Sequence, residues 1–267
     1  MRGGAGTASV HAHAGDVAEA YDAFAPFYDA FTADYNHESW MADVEGWARE
    51  AGLRGRRLLD VACGTGASFV PMLRRGYEVC ACDISPAMVA RAREKIGPGG
   101  AVVIADMRNL PWRDRFDLAT CVDDSMNYML SEVDLVAALS SIRDALAPGG
   151  ILVFDTNSLA TYRSVFASHF TVEAGRNRFL WEGEGSEFMP PGETASVSIS
   201  RVTPRGNVPV GRHVQRHHPI EELREACDLA GLECKGFRGE LPGGGMTADP
   251  DEESSTKIVC MAARPPD

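Results

Sequence analysis

Apolar residues recur along this chain with two different periods, and the switches between them divide it into regions. From Asp16 the spacing is helical: Val17, Ala20, Phe24 and Phe27 stand three or four positions apart. Pro26 is placed to bend or end that helix. A second helix is predicted over Ser39–Glu50, with Trp40, Val44 and Trp47 on one face. These two elements make residues 16–50 a helical lid region. Residues 1–15 are mostly Gly, Ala, Ser, Thr and His without an apolar period, and they read as a flexible tail.

Short apolar runs then replace the helical period. Strands are predicted at Arg57–Ala62, Tyr77–Cys82, Ala101–Ala105, Phe116–Val122 and Ile151–Asp155. Helices stand between them. One covers Phe69–Arg75 and stops at Gly76. Another starts at Ser85-Pro86, with Ser as N-cap and Pro in the first helical position, and runs to Ile96. A third opens on the capping-box-like Ser131-Glu132-Val133-Asp134 and ends at Pro148-Gly149. This alternation predicts an α/β, Rossmann-like unit with a mostly parallel sheet and helices on both faces. Ligands of such a sheet sit beyond the carboxyl ends of its strands.

After Asp155 the alternation stops. Ser158–His169 is predicted helical. Residues 171–216 read as an inserted antiparallel subdomain, with strands Arg178–Trp181, Ala195–Val202 and Val210–Gln215. In the second of these, Ala195, Val197 and Ile199 alternate with serines, the pattern of a sheet with one wet face. A helix over Pro219–Ala230 and closing strands Leu232–Glu240 and Thr256–Ala262 follow, separated by the acidic loop Leu241–Ser255. The Rossmann-like domain thus takes 51–170 and 217–267. The edges of the inserted sheet need covering, and a homodimer through that sheet is one way to cover them.

Composition narrows the partners. Of 267 residues, 45% are apolar and 24% charged, as in a folded globule. The net charge of −12 disfavours phosphate backbones and anionic lipid, so neither nucleic acid nor membrane is expected as partner. With no long apolar run, no export signal and seven cysteines read as reduced thiols, the expected location is the cytoplasm. Cys63, Cys80, Cys82 and Cys121 match no zinc spacing and read as packing residues, so no metal is expected. His11 and His13 are the weak alternative.

The sharpest local signal is LLDVACGTG at residues 58–66, a strand running into a Gly-rich turn. Gly64 and Gly66 let the backbone turn tightly and approach a ligand. Asp83 ends the next strand, where a carboxylate can accept both hydroxyls of a ribose. Asp106 ends the third strand, at the place for an adenine edge. A nicotinamide fingerprint needs a small residue where Phe69 stands. Nothing basic near the turn helps to hold a diphosphate, and Asp60 adds negative charge. A ligand bearing an ammonium and a sulfonium therefore suits the turn better than a nicotinamide cofactor, and a nicotinamide-dependent oxidoreductase is the rival reading.

Residues 58–66, Asp83, Asp106-Met107 and the strand 116–122 resemble the class I S-adenosylmethionine-dependent methyltransferases. The resemblance runs from about Tyr21 to Asp155 and more weakly through the closing strands. The family's first turn reads acid-x-Gly-x-Gly-x-Gly. Here Asp60, Ala62, Gly64 and Gly66 fill it, so Ala replaces the first Gly. The resemblance implies a seven-stranded sheet with only the seventh strand antiparallel, and S-adenosyl-L-methionine as cofactor. It implies Asp83 on the ribose, Asp106 and Met107 at the adenine, and Gly64 with Val122 beside the methionine part. Thr65, Ile84 and Met88 complete the expected surface. Tyr28, in AFAPFYDAF, matches a tyrosine that closes over the cofactor in related enzymes, and Trp40 follows it closely enough to join the pocket. The N-terminal helices and inserted sheet resemble the amino-sugar N-methyltransferases of antibiotic pathways. An inactive cofactor-binding accessory protein would carry the same motif.

Methyl transfer from a sulfonium is an in-line displacement, so alignment supplies most of the catalysis. A base is needed only for a protonated acceptor. CVDDSMNYML, residues 121–130, follows the fourth strand. Asp123 is therefore a candidate catalytic residue beside Asp124, and Asn127, Tyr128 and Tyr21 are candidates for the acceptor. Capping of a short helix is the competing role for the two aspartates. GRHVQRHHP, residues 211–219, offers His213 and His217 on one face at strand spacing, with His218 turned away. His217 is the candidate base and His213 an acceptor contact. The expected acceptor is a small molecule with a reacting N or O, such as an amino sugar.

Overall fold

The computed structural model describes residues 5–266, with side chains from residue 13 onward. Helices α1 (Ala5–Phe31) and α2 (His37–Glu50) lead into the alternating unit. That unit comprises β1 (Arg57–Val61), α3 (Phe69–Arg74), β2 (Glu78–Asp83), α4 (Pro86–Ile96), β3 (Ala101–Ile104), β4 (Phe116–Cys121), α5 (Glu132–Ala145) and β5 (Leu146–Asn157). Next come α6 (Leu159–Ser164) and the strands β6 (His169–Ala174), β7 (Asn177–Gly183), β8 (Thr194–Thr203) and β9 (Gly206–Arg216). The chain closes with α7 (Ile220–Leu229), β10 (Glu233–Glu240), β11 (Met246–Thr247) and β12 (Lys257–Ala263).

The larger sheet has the order β11-β10-β12-β5-β4-β1-β2-β3. Strands β1 to β5 pair in parallel, whereas β12 runs antiparallel to both β5 and β10. The family expectation of seven strands differs from this only by β11, a two-residue edge paired to β10. Central strand β5 is buried on both faces along Ile151–Asn157, as expected of a strand covered by helices on either side. Its apolar run carries one charge, Asp155, which is fully buried. The two helical layers build separate cores: α5 and α7 pack on one face, and α2, α3 and α4 on the other.

The second sheet, β6-β7-β8-β9, is wholly antiparallel and begins at His169. Its inner face carries Phe179, Ala195, Val197, Ile199 and Val210, and it packs on Phe24, Phe27 and Phe31 of α1. Two expectations change here. The helix expected over Ser158–His169 stops at Ser164, because His169–Ala174 extends to pair residue for residue with β7. Helix α1 starts at Ala5, within the expected tail, and passes through Pro26 to Phe31. The proline removes one backbone donor, and the aromatic stripe buried against the second sheet keeps the last turn helical. Two carboxylates pin α1 across the first sheet. Asp22 accepts from Ser85 Oγ (2.5 Å) and Ala87 N (2.9 Å) at the start of α4, and Asp29 bonds Lys95 Nζ and Thr65 Oγ1.

No helix among the described residues is long and apolar enough to cross a membrane, and all seven cysteines are free thiols. Gly183, the last residue of β7, packs where no side chain fits: an added Cβ would stand 2.1 Å from the Phe166 carbonyl oxygen. Gly183→Ala is expected to destabilise the chain by roughly 1–3 kcal/mol through overpacking. Urea denaturation measures this as a lowered midpoint at constant slope, and an unchanged midpoint would refute the close contact.

Candidate active site

At the carboxyl end of β1 the chain turns through left-handed backbone at Ala62 (φ 54°), Gly64 (φ 53°) and Gly66 (φ 89°). The Gly64 N–H donates to Asp83 Oδ2 (2.8 Å) and the Ser85 N–H to Asp83 Oδ1 (2.9 Å), which ties the turn to the end of β2. Above the turn lies a cavity of about 930 Å³, its open mouth included. Tyr28, Ala62, Gly64, Thr65, Asp83, Ile84, Asp106, Met107 and Val122 all line it. A Cβ on Gly64 would sit 3.6 Å from the Tyr28 ring, so the glycine preserves the gap between turn and lid. Burial pushes the Asp83 carboxyl up to about 6, against its backbone hydrogen bonds. Arg108 also lines the cavity, but its guanidinium is taken by Asp106 (2.5 Å) and Asp134 (3.0 Å). The cavity thus offers carboxylates, apolar walls at Ile84, Met107 and Val122, and a paired arginine. That donor set fits a nucleoside with a cationic tail and opposes a diphosphate. The residues present fit S-adenosylmethionine, with Asp83 placed to accept from ribose hydroxyls.

Four expected cofactor residues stand outside this lining. Asp60 is fully buried behind the turn, where its carboxylate accepts from Ser68 Oγ and Thr120 Oγ1, both at 2.6 Å. Gly66 faces the Phe69 ring, 2.3 Å from where its Cβ would lie. Met88 is buried in α4. Trp40 packs into the core with Met41 and Val44 rather than into the cavity. Helical spacing marks its buried face without telling core from pocket.

A second cavity, about 1100 Å³ with its mouth, opens between α1, the inserted sheet and the ends of β4, β5 and β12. Tyr21, Tyr28, Asp123 and Tyr128 line both cavities and form the boundary between them. Asp123 and Asp124 both adopt left-handed backbone, φ 60° and 55°, which is uncommon for residues other than glycine. The buried Asp155 holds them there. It accepts from the Asp123 N–H at 2.9 Å and from the Asp124 N–H at 2.5 Å. Lys257, the first residue of β12, lies 3.3 Å from Asp155 and within 3.6–3.7 Å of Asp124 and Asp123. Burial disfavours its ammonium, yet Asp155 and Asp124 hold it well above the ordinary lysine value. Burial also pushes Asp155 up to about 6 and raises Asp124. At Asp123 burial is outweighed by the hydrogen bond to His37 (2.9 Å) and by Lys257, so this carboxyl is held below the usual range.

The histidines divide. His213 lines the second cavity and shares a hydrogen bond with Tyr128 Oη (2.9 Å), which is in turn 2.9 Å from Tyr21 Oη. Its Nε2 is buried with no protein partner, and burial lowers its pKa to about 4, so the ring is neutral at physiological pH. His217 lies outside both linings. Its Nε2 pairs with Glu252 Oε2 and its Nδ1 accepts from Gly192 N, which leaves no nitrogen for an acceptor. Strand spacing puts His217 with His213 only if the strand continues, and β9 ends at Arg216. Asn127 is likewise structural, donating to Arg216 O and accepting from Asn157 N. His13 Nε2 bonds Tyr128 O at the rim of the first cavity, and the His11 side chain lies outside the described residues. No cluster of three or more ligating side chains among the described residues could hold a metal. Lys257, Asp155 and His37 escaped the sequence reading. The one available signal was a lone lysine leading the apolar run IVCMAA.

Two outcomes follow from this geometry. Lys257→Met leaves the Asp155 carboxylate buried without its cation and should cost about 3–5 kcal/mol. Adding Asp155→Asn should recover part of that loss in a double-mutant cycle, whereas strict additivity would deny the coupling. Asp83 concerns pH. Its carboxyl protonates as pH falls through about 6, and the protonated form no longer accepts from both ribose hydroxyls. Calorimetric affinity for S-adenosylhomocysteine should therefore fall below pH 6, by at most about tenfold per unit. Asp83→Asn should weaken binding at pH 8 and flatten the profile. A wild-type slope retained in the variant would assign the titration elsewhere.

Comparison with known proteins gives the same reading. Residues 58–150, from β1 into β5, match the family described as "Methyltransferase domain". A solved S-adenosylmethionine-dependent methyltransferase from Clostridium acetobutylicum shares the fold, with a TM-score of 0.75 at 24% identity over 92% of this chain and 99% of that one. A dTDP-3-amino-3,6-dideoxy-alpha-D-glucopyranose N,N-dimethyltransferase of Streptomyces fradiae is 25% identical over 92% of this chain and 95% of its own. A protein of Geobacillus sp. (strain WCH70) named as a methyltransferase is 30% identical over 60% of this chain and 67% of its own. A cavity shaped for a sulfonium nucleoside at the switch point of this sheet, matched by these relatives along most of its length, places the chain in the class I S-adenosylmethionine-dependent methyltransferases.

Proposed function

We propose that this methyltransferase acts on the amine nitrogen of a small molecule, with amino sugars as the leading class. The observation that carries this reading is the carboxylate pair Asp123 and Asp124 in the second cavity, with Asp123 also lining the cofactor cavity. A protonated amine is drawn to that pair, whereas a neutral hydroxyl gains less from it. The Streptomyces fradiae relative, named for N,N-dimethylation of a dTDP-linked amino sugar, supports nitrogen as the reacting atom and leaves the group attached to the sugar open.

S-adenosylmethionine supplies an electrophilic methyl group on a positively charged sulfur. The protein's part is placement. Asp83, Ile84 and Met107 hold and orient the nucleoside side, with Val122 beside the methionine part. Tyr21, Tyr28 and Tyr128 form a wall between the cavities. Burial keeps the Tyr21 and Tyr28 hydroxyls protonated. Water is excluded there by α1, whose stripe Val17, Tyr21, Phe24, Tyr28 and Phe31 borders the two spaces. An ammonium has no lone pair to donate, so it must lose a proton before reacting. Asp124 accepts from Gln215 Nε2 (2.6 Å) and lies near Lys257, yet burial raises its carboxyl, which makes it the better proton acceptor of the pair; Asp123 is bonded to His37 and held low. His213 Nε2 is placed to orient a polar atom of the same molecule.

The test is formation of S-adenosylhomocysteine with a panel of amino sugars, their hydroxyl analogues and phenols. Amines should be preferred by about a hundredfold or more in kcat/KM, and Asp124→Asn should lower that value for amines by at least about tenfold, as expected for loss of a charged, proton-accepting partner. Cofactor affinity should be unchanged in the variant. Turnover of phenols or of tRNA in preference to amines would overturn the proposal.

A further inference from the structure

The electrostatics of the second cavity restrict what the amine can be attached to, an inference that rests on the amine reading above. Three aspartates line this space: Asp34, Asp123 and Asp124, with Asp155 immediately behind. Among the described lining residues the cationic or protonatable groups are Lys257, His37 and His213. Lys257 is surrounded by three carboxylates within 3.7 Å. His37 is bonded to Asp123. His213 shares its Nδ1 with Tyr128, and its Nε2 is a neutral hydrogen-bonding atom with no protein partner. Among these described lining residues no positive charge is left over for an anion. The far wall is apolar, with Phe24, Phe31, Phe166, Trp181 and Ile199.

We propose that this cavity selects an amine free of phosphate. In this arrangement the amino group meets Asp123 and Asp124, one neutral polar atom meets His213 Nε2, and an apolar body lies against Phe166 and Trp181. A nucleotide-linked amino sugar carries a diphosphate that would enter a field of the wrong sign, with its counter-charges already taken by the protein's own aspartates. An amino sugar would thus meet this enzyme as a glycoside already parted from its nucleotide carrier. The class of reaction that supplies the substrate is then glycosyl transfer, ahead of methylation rather than after it.

The test uses the full chain and two readouts. In the first, one amino sugar is offered as its methyl glycoside and as its dTDP conjugate. The glycoside should be favoured by at least about tenfold in kcat/KM, and Asp34→Lys should narrow that ratio by adding a cation to the lining. In the second, dTDP and inorganic pyrophosphate are titrated calorimetrically into the chain loaded with S-adenosylhomocysteine. Neither should bind in the micromolar range. A preference for the dTDP conjugate, or micromolar binding of dTDP, would overturn this inference and leave the amine reading standing. Failure of every amine, conjugated or free, while hydroxyl acceptors turn over would remove the amine reading and this inference with it.

Discussion

The geometry of the site depends on one buried ion pair, Lys257 with Asp155. Each member sits on a central strand, β12 and β5, which pair antiparallel with Val259 opposite Asp155. Burying two charges costs several kcal/mol per ion unless hydrogen bonds and neighbouring charges compensate. Here the compensation is specific. The two Asp155 oxygens take the N–H groups of Asp123 and Asp124, and Lys257 reaches the side chains of those same residues. The pair therefore holds two consecutive aspartates in a backbone region that they rarely occupy, at the place where the two cavities meet. The strain is local and its support is remote, a division common at sites where side chains must be aimed.

Much of this fold is legible from local chemistry. The strand–turn–helix at residues 58–74, the Ser85-Pro86 helix start and the Ser131 cap each depend on residues a few positions apart, and the structure has them where the pattern puts them. Asp83 and Asp106 could be read as strand ends because a carboxylate closing an apolar run is conspicuous. The lining of the second cavity is different. Lys257 is 102 residues from Asp155 in the chain, and His37 is 86 from Asp123. Neither pairing has a periodic signature. They arise from sheet order and from the crossing of α2 beside it, which no window of sequence contains.

Trp40 and His217 are both buried residues with a polar edge, and burial pattern alone does not say whether such an edge faces ligand or protein. For His217 the answer turned on one residue of strand length, since the chain leaves β9 after Arg216 and carries the ring toward Glu252. Asp60 holds the acidic position of the motif within β1, fully buried. Two hydroxyls, Ser68 and Thr120, consume its oxygens, so it stiffens the floor of the turn instead of meeting a ligand.

Helix α1 carries a consequence of a different kind. Its stripe from His13 to Phe31 borders both cavities, and Asp22 and Asp29 anchor the same helix to α4 and to the Gly-rich turn. One helix therefore walls both chambers, and the donor and acceptor spaces share a single boundary element. The fastening of Asp22 to the start of α4, and of Asp29 to Lys95 and Thr65, thus fixes the shape of both chambers at once.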